Sequence, residues 1–155
     1  MAPNFPELSS FSTLLKFALA LEETAADLAD RAAARSECAP WQDALTSCVR
    51  RHTQRRKQLE QMRRERLNEV VLQPIYGMSR VDYLPPLELP PGADGEKIIA
   101  EIVAVEAAAA RFYDDAAANA ANVLIGAEKT LRRLARESRA LGVALAAQEG
   151  AQASF

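Results

Sequence analysis

The chain of 155 residues has one histidine, His52, and two cysteines, Cys38 and Cys48. A single histidine removes at once the many catalytic and metal arrangements that need two. The cysteines match no metal-binding pair spacing such as C-x-x-C and read as free, partly buried thiols. No apolar run approaches the ~20 residues needed to cross a bilayer. The opening MAPNFPELSS lacks the basic start and apolar middle of a signal peptide. Together these predict a cytosolic protein with no membrane partner. There is also no Gly-rich phosphate loop, no H-E-x-x-H and no Ser/His/Asp order with supporting context. With two arginines directly before its only histidine, the chain offers hydrolase chemistry nothing convincing. The net charge of −2, with 26% charged residues, argues against disorder and against binding polyanions over the whole surface.

What is present is helix-forming. Apolar residues make up 49% of the chain, enough for one domain with a core spanning 1–155. Alanine, leucine, arginine and glutamate dominate, and period-2 alternation of useful length is missing, so the pattern favours helix. Ser9, Ser10 and Ser12 offer N-caps for a first helix, roughly 8–35. Its apolar stripe runs Phe11, Leu15, Ala18, Glu22, Ala25, Ala29, Ala32, with one glutamate inside it. Pro40 suits the first turn of a second helix, roughly 40–72. That helix keeps Leu45, Cys48, His52, Arg55, Leu59 and Met62 on one face, and Gln73-Pro74 ends it. Trp41, at its start, reads as a core anchor. Residues 73–94 hold five of the eight prolines and predict an extended connection. Asp94 caps a third helix, roughly 96–119, and Asn119–Asn122 turns into a fourth, roughly 122–149. That helix carries Leu124, Leu131, Leu134, Leu141 and Leu145, and Gly150 stops it. No proline separates these two helices, so one long bent helix is the alternative. A connection of about 22 residues can run the ~40 Å of a bundle at ~3.3 Å per residue. Helices two and three could therefore lie parallel.

The two halves repeat. A shift of 84 residues lays Ala20-Leu21-Glu22, Ala25-Ala26, Leu28 and Asp30 on Ala104-Val105-Glu106, Ala109-Ala110, Phe112 and Asp114. Each half opens on a helix with a glutamate at the same point of its stripe. In this respect the chain resembles the ferritin-like superfamily, most closely the rubrerythrin-type bundles, over nearly its whole length. The resemblance implies an all-α, ferritin-like four-helix bundle with a long crossover between helices two and three. In that family a glutamate on helices one and three, with Glu-x-x-His on helices two and four, holds two irons. It places Glu22 and Glu106 in ligand positions, and Phe112-Tyr113 is similar to an aromatic pair whose tyrosine bonds to a site carboxylate. The chain departs from the pattern at Val49-Arg50-Arg51-His52, where glutamate should come first. It departs again at Arg136-Glu137-Ser138-Arg139, where no register supplies a histidine.

Two readings of the core follow. In one, the metal is gone, Arg55 pairs with Glu22 or Glu106, and His52 is a satisfied core histidine with no cofactor required. In the other, Glu22, His52, Glu106 and Glu137 form a reduced site for a single Fe, Mn or Zn. The first makes the protein a non-catalytic bundle that oligomerises, as a dimer in the first instance, or binds a protein partner. The second makes it a metal-binding or redox protein. The stretch RRHTQRRKQLEQMRRER, residues 50–66, adds a basic face that could take nucleic acid or an acidic partner. It has no interleaved aromatics for base stacking, so a solvated face is the favoured reading. The connection, with Ile75, Tyr76, Met78, Val81, Tyr83, Leu84, Leu87 and Leu89, is too apolar to be idle. It packs on its own bundle or covers a second subunit.

Overall fold

The computed structural model describes residues 5–70, 73–121, 123 and 125–153, with side-chain surroundings for all of these except 66–70, 125 and 149–153. The described residues are all-α, without strands. Four long helices, α1 (Phe11–Ala33), α2 (Gln42–Val70), α3 (Gly95–Ala120) and α4 (Ile125–Ala153), are accompanied by two short 3₁₀ turns, Ser36–Trp41 and Arg80–Asp82. None of the helices is long and apolar enough to cross a membrane.

Local chemistry sets most of the boundaries. Ser10 caps α1 through a reciprocal box: its side chain accepts from the Thr13 backbone N–H, and its own N–H donates to Thr13 Oγ1. Asp94 caps α3 by accepting from the Lys97 N–H at 2.9 Å. Pro40 lies in the 3₁₀ turn that precedes α2, because the chain tightens there before opening into α-helix. α3 and α4 are separate helices, the first ending at Ala120 and the second beginning at Ile125. Gly150 does not stop α4, which runs to Ala153; a glycine inside a helix costs ~1 kcal/mol, and here it leaves the helix intact. The predicted end of α2 at residue 72, the turn residue Asn122 and Leu124 lie outside the described residues. Gly95 is a packing glycine: a Cβ there would sit 2.1 Å from the Glu37 carbonyl oxygen, so α3 begins in direct contact with the 3₁₀ turn.

α1 packs along α2 and α3 packs along α4, with lighter contacts between α1 and α3 and between α2 and α4. The connection passes over the α1/α3 side. At one end Ile75 N–H donates to the Ser9 carbonyl; at the other, Arg31 and Arg35 donate to the Leu87 and Pro90 carbonyls. Between them Tyr83 sits edge-on to Phe17 of α1 and Phe112 of α3. The connection is two-faced. Ile75, Met78, Tyr83 and Leu89 are buried, whereas Tyr76, Val81, Leu84 and Leu87 are exposed.

Every residue of the α1 stripe from Phe11 to Ala32 and of the α2 face from Leu45 to Met62 is buried, as is Trp41. On α4, Leu131, Leu134 and Leu145 are buried and Leu141 is partly so. The apolar core falls into two clusters. One gathers Phe17, Leu21, Leu59, Phe112 and Leu131; the other gathers Leu28, Trp41, Leu45, Ile99 and Leu145. The buried charged residues Glu22, His52, Arg55 and Glu106 belong to neither. By helix position they form a polar layer between the two clusters.

Candidate functional site

The layer is assembled from all four helices. Its carboxylates come from the middle of α1 (Glu22) and α3 (Glu106), its cations from successive turns of α2 (His52, Arg55). α4 contributes Glu137 and Ser138. Glu22, His52, Arg55 and Glu106 are each at most 2% exposed, so none can rely on water for solvation.

His52 lies between the carboxylates. Its Nδ1 is 2.5 Å from Glu22 Oε2, and its Nε2 is bonded to Glu106 Oε1. A neutral imidazole has one N–H and cannot donate from both nitrogens, so two carboxylate acceptors select the doubly protonated ring. Burial alone would lower the His52 pKa. The charges of Glu106 and Glu22 and their hydrogen bonds outweigh it and raise the pKa to about 10.

The other oxygen of Glu22, Oε1, accepts from the Tyr113 hydroxyl at 2.5 Å. The buried Tyr113 phenol is held well above its ordinary pKa, first by desolvation and then by the Glu22 charge, so it stays a donor. Arg55 Nη1 donates to Ser138 Oγ at 3.0 Å, and its Nε donates to Glu137 Oε2 at 3.3 Å. The same Nη1 stands 3.9 Å from Glu22 Oε1 and 4.0 Å from Glu106 Oε2. Arg55 therefore neutralises both carboxylates through space while hydrogen-bonding to α4. Glu106 Oε2 and Arg55 Nη2 are buried without a hydrogen-bond partner. Within the interior, two cations balance two anions, and Glu137 sits at the rim with its side chain about one-third exposed.

The structure thus brings Glu22, His52, Arg55, Glu106 and Tyr113 together and leaves Glu137 at the edge, where Arg133 also approaches it at 3.8 Å. Ser138 is the member that sequence reading passed over. Its signal was its place in the α4 stripe, seven residues after Leu131 and seven before Leu145, as a small hydroxyl at a core position. Cys48, one turn before His52, is a neutral thiol; burial and then the Glu106 charge push its pKa up to about 12. Cys38 is likewise buried and free.

The donor set does not fit a metal. Both imidazole nitrogens face carboxylate oxygens, so neither lone pair is offered to an ion. The Arg55 guanidinium stands close to both carboxylates, where a second cation would meet like charge. Among the described residues no three His, Cys, Asp or Glu side chains are arranged to hold a metal ion. Comparison with known proteins finds no matching family model, no similar curated protein and no similar solved structure.

Proposed function

We propose that this chain is a non-catalytic ferritin-like bundle that works through its surface, as an oligomerising or partner-binding protein, and that an ion cluster stands where relatives of that architecture would hold two irons. One observation carries the reading: the His52 ring lies between the two matched glutamates with a nitrogen on each. Two imidazolium N–H bonds and the Arg55 charge supply the positive charge that a metal would otherwise bring to Glu22 and Glu106.

The ferritin-like topology is supported by the path of the connection. It leaves the end of α2 beside the start of α1 and reaches α3 beside the 3₁₀ turn that opens α2. α2 and α3 then run parallel, which a long crossover permits and a short link does not. The surface role is supported by the exposed apolar residues of the same connection: Tyr76 and Val81 are mostly in solvent, and Leu84 and Leu87 are about half so.

Metal analysis of protein purified without chelator tests the core, with Glu22→Ala/Glu106→Ala as the comparison. Fe, Mn and Zn are expected well below one equivalent in both proteins. Near-stoichiometric metal that disappears in the variant would overturn the proposal in favour of a reduced Glu/His metal site.

A further inference from the structure

The two sides of the molecule that lie across the tightly packed helix pairs differ in charge and in cover. One side is formed by α2 and α4 and carries no overlying segment among the described residues. The opposite side is formed by α1 and α3, with residues 73–94 laid across it and Tyr83 seated in the seam.

The elements that form the two sides carry nearly mirror-image charge. Setting aside the interior Arg55, α2 and α4 carry twelve Lys/Arg against seven Asp/Glu, a net +5. Setting aside the interior Glu22 and Glu106, α1, α3 and the connection carry five against ten, a net −5. Some of these charges are used within one molecule: Arg56 pairs with Glu60, Arg133 with Glu137, Arg132 with Glu128, and Arg132 and Arg139 with Asp114 of α3. Arg50, Arg51, Lys57, Arg64, Lys129 and Arg136 are exposed and have no carboxylate within 4.0 Å among the described residues. Arg50, Lys57 and Arg64 recur every seven residues, a stripe about 21 Å long at 1.5 Å per residue. On the acidic side, exposed Asp82 and Glu88 alternate with the exposed apolar residues of the connection, and exposed Glu101 lies two heptads before Asp115, the acceptor of the Tyr83 hydroxyl, on the same side of α3.

We propose that the partner of each face is the other face of a second copy: the basic α2/α4 side of one molecule docks on the acidic, connection-covered α1/α3 side of the next. The chain itself supplies the charge complement, and the long Arg and Lys stems have apolar contact area waiting in Tyr76, Val81, Leu84 and Leu87. A polyanion matches the basic side alone and is repelled by the net −5 of the other. Because two different surfaces meet, the contact is heterologous and adds copies until a ring closes or a chain grows. This inference deepens the surface role proposed above by naming its partner and does not depend on the metal assay.

The test is light scattering across ~1–100 µM protein at about 50 mM and about 500 mM NaCl, where exposed charges are respectively weakly and strongly screened. At low salt the mass should climb past a dimer with concentration, and at high salt it should return toward the monomer. R50E/K57E/R64E and D82K/E88K/E101K, each checked for unchanged helical circular dichroism, should both stay near monomer alone. Mixed in equal amounts they should assemble again, since one retains the acidic face and the other the basic face. A monomer under every condition overturns the proposal. So does a dimer that survives both charge reversals, which would be a symmetric contact through the apolar residues. Wild-type binding to a duplex of about 20 base pairs, with the variant mixture remaining monomeric, would assign the basic face to a polyanion instead. Any of these leaves the metal-free core standing; metal at one equivalent removes that core reading and leaves the assembly result intact.

Discussion

Glu22 and Glu106 occupy the same point of two helices 84 residues apart, and they are not equivalent. Glu22 is satisfied on both oxygens, by His52 and by Tyr113; Glu106 is bonded to His52 through Oε1 and leaves Oε2 without a hydrogen bond. The repeat itself explains the difference. Tyr113 of α3 reaches across to Glu22 of α1, and the residue that would return the favour to Glu106 is Ala29, 84 positions earlier and buried without a polar group. The matched pair of acids thus sits between unmatched partners: one tyrosine, and two cations drawn from α2 alone.

Removing what the two acids share should have the largest effect. His52→Leu leaves two buried carboxylates facing each other with Arg55 as their sole cation, and both lose a charge-assisted bond. Breaking a buried ion pair from one side costs ~3–5 kcal/mol, so the urea midpoint should fall steeply or the variant should fail to fold at neutral pH. A loss under ~1 kcal/mol would mean that Glu22 and Glu106 reach water and that the polar layer is not closed.

Raising the pH removes the same charge without touching the chain. The folded pKa of His52, about 10, lies above its ordinary value of 6.5. The stabilisation from this group is therefore complete below pH ~6.5 and is lost as pH climbs toward about 10. Wild-type stability should decline through that window while His52→Leu changes little. Equal slopes in the two proteins would remove the imidazolium from the account.

A single-carboxylate comparison separates the acids from each other. Glu22→Gln keeps the shape but weakens two hydrogen bonds to Oε1 and Oε2, whereas Glu106→Gln weakens one and frees an oxygen that had no partner. Hydrogen bonds to charged groups contribute ~1.5–3 kcal/mol each, so Glu22→Gln should be the more destabilising by ~1–2 kcal/mol. Equal losses would show that the duplication has preserved equivalence after all, with Arg55 compensating Glu106 in full.

Much of this arrangement was legible in the chain. The apolar stripes of α1 and α2 carried Glu22, His52 and Arg55 at inward positions, and every residue of those stripes is buried. The buried face of α1 also takes in Leu14, Phe17, Leu21 and Leu28, which its stripe left out. Two things were not legible, for physical reasons. Whether His52 would accept a metal or donate to carboxylates depends on where its two nitrogens point, and helical spacing places a ring on a face without orienting it. The role of the connection depended on alternation within an extended, proline-rich segment. There, neighbouring residues such as Ile75 and Tyr76 go to opposite sides, so both self-packing and outward display were compatible with its composition. Ser138 was hidden for a different reason: a lone serine in a leucine stripe reads as tolerated polarity until the Arg55 it serves is in view.

The smallest effect isolates the asymmetry most cleanly. Tyr113→Phe deletes one hydroxyl and should cost ~1–2 kcal/mol, because the ring stays packed against Phe112 and only the bond to Glu22 is lost. Combined in double-mutant cycles, Tyr113→Phe should couple to Glu22→Gln by ~1 kcal/mol and to Glu106→Gln by less than ~0.5 kcal/mol. The expectation rests on distance and on bonding. Tyr113 donates to Glu22 directly and meets Glu106 only through the charge field and the shared His52. Coupling of equal size to both acids would show that His52 transmits the perturbation, so that the polar layer titrates and breaks as one unit and not as two unequal halves.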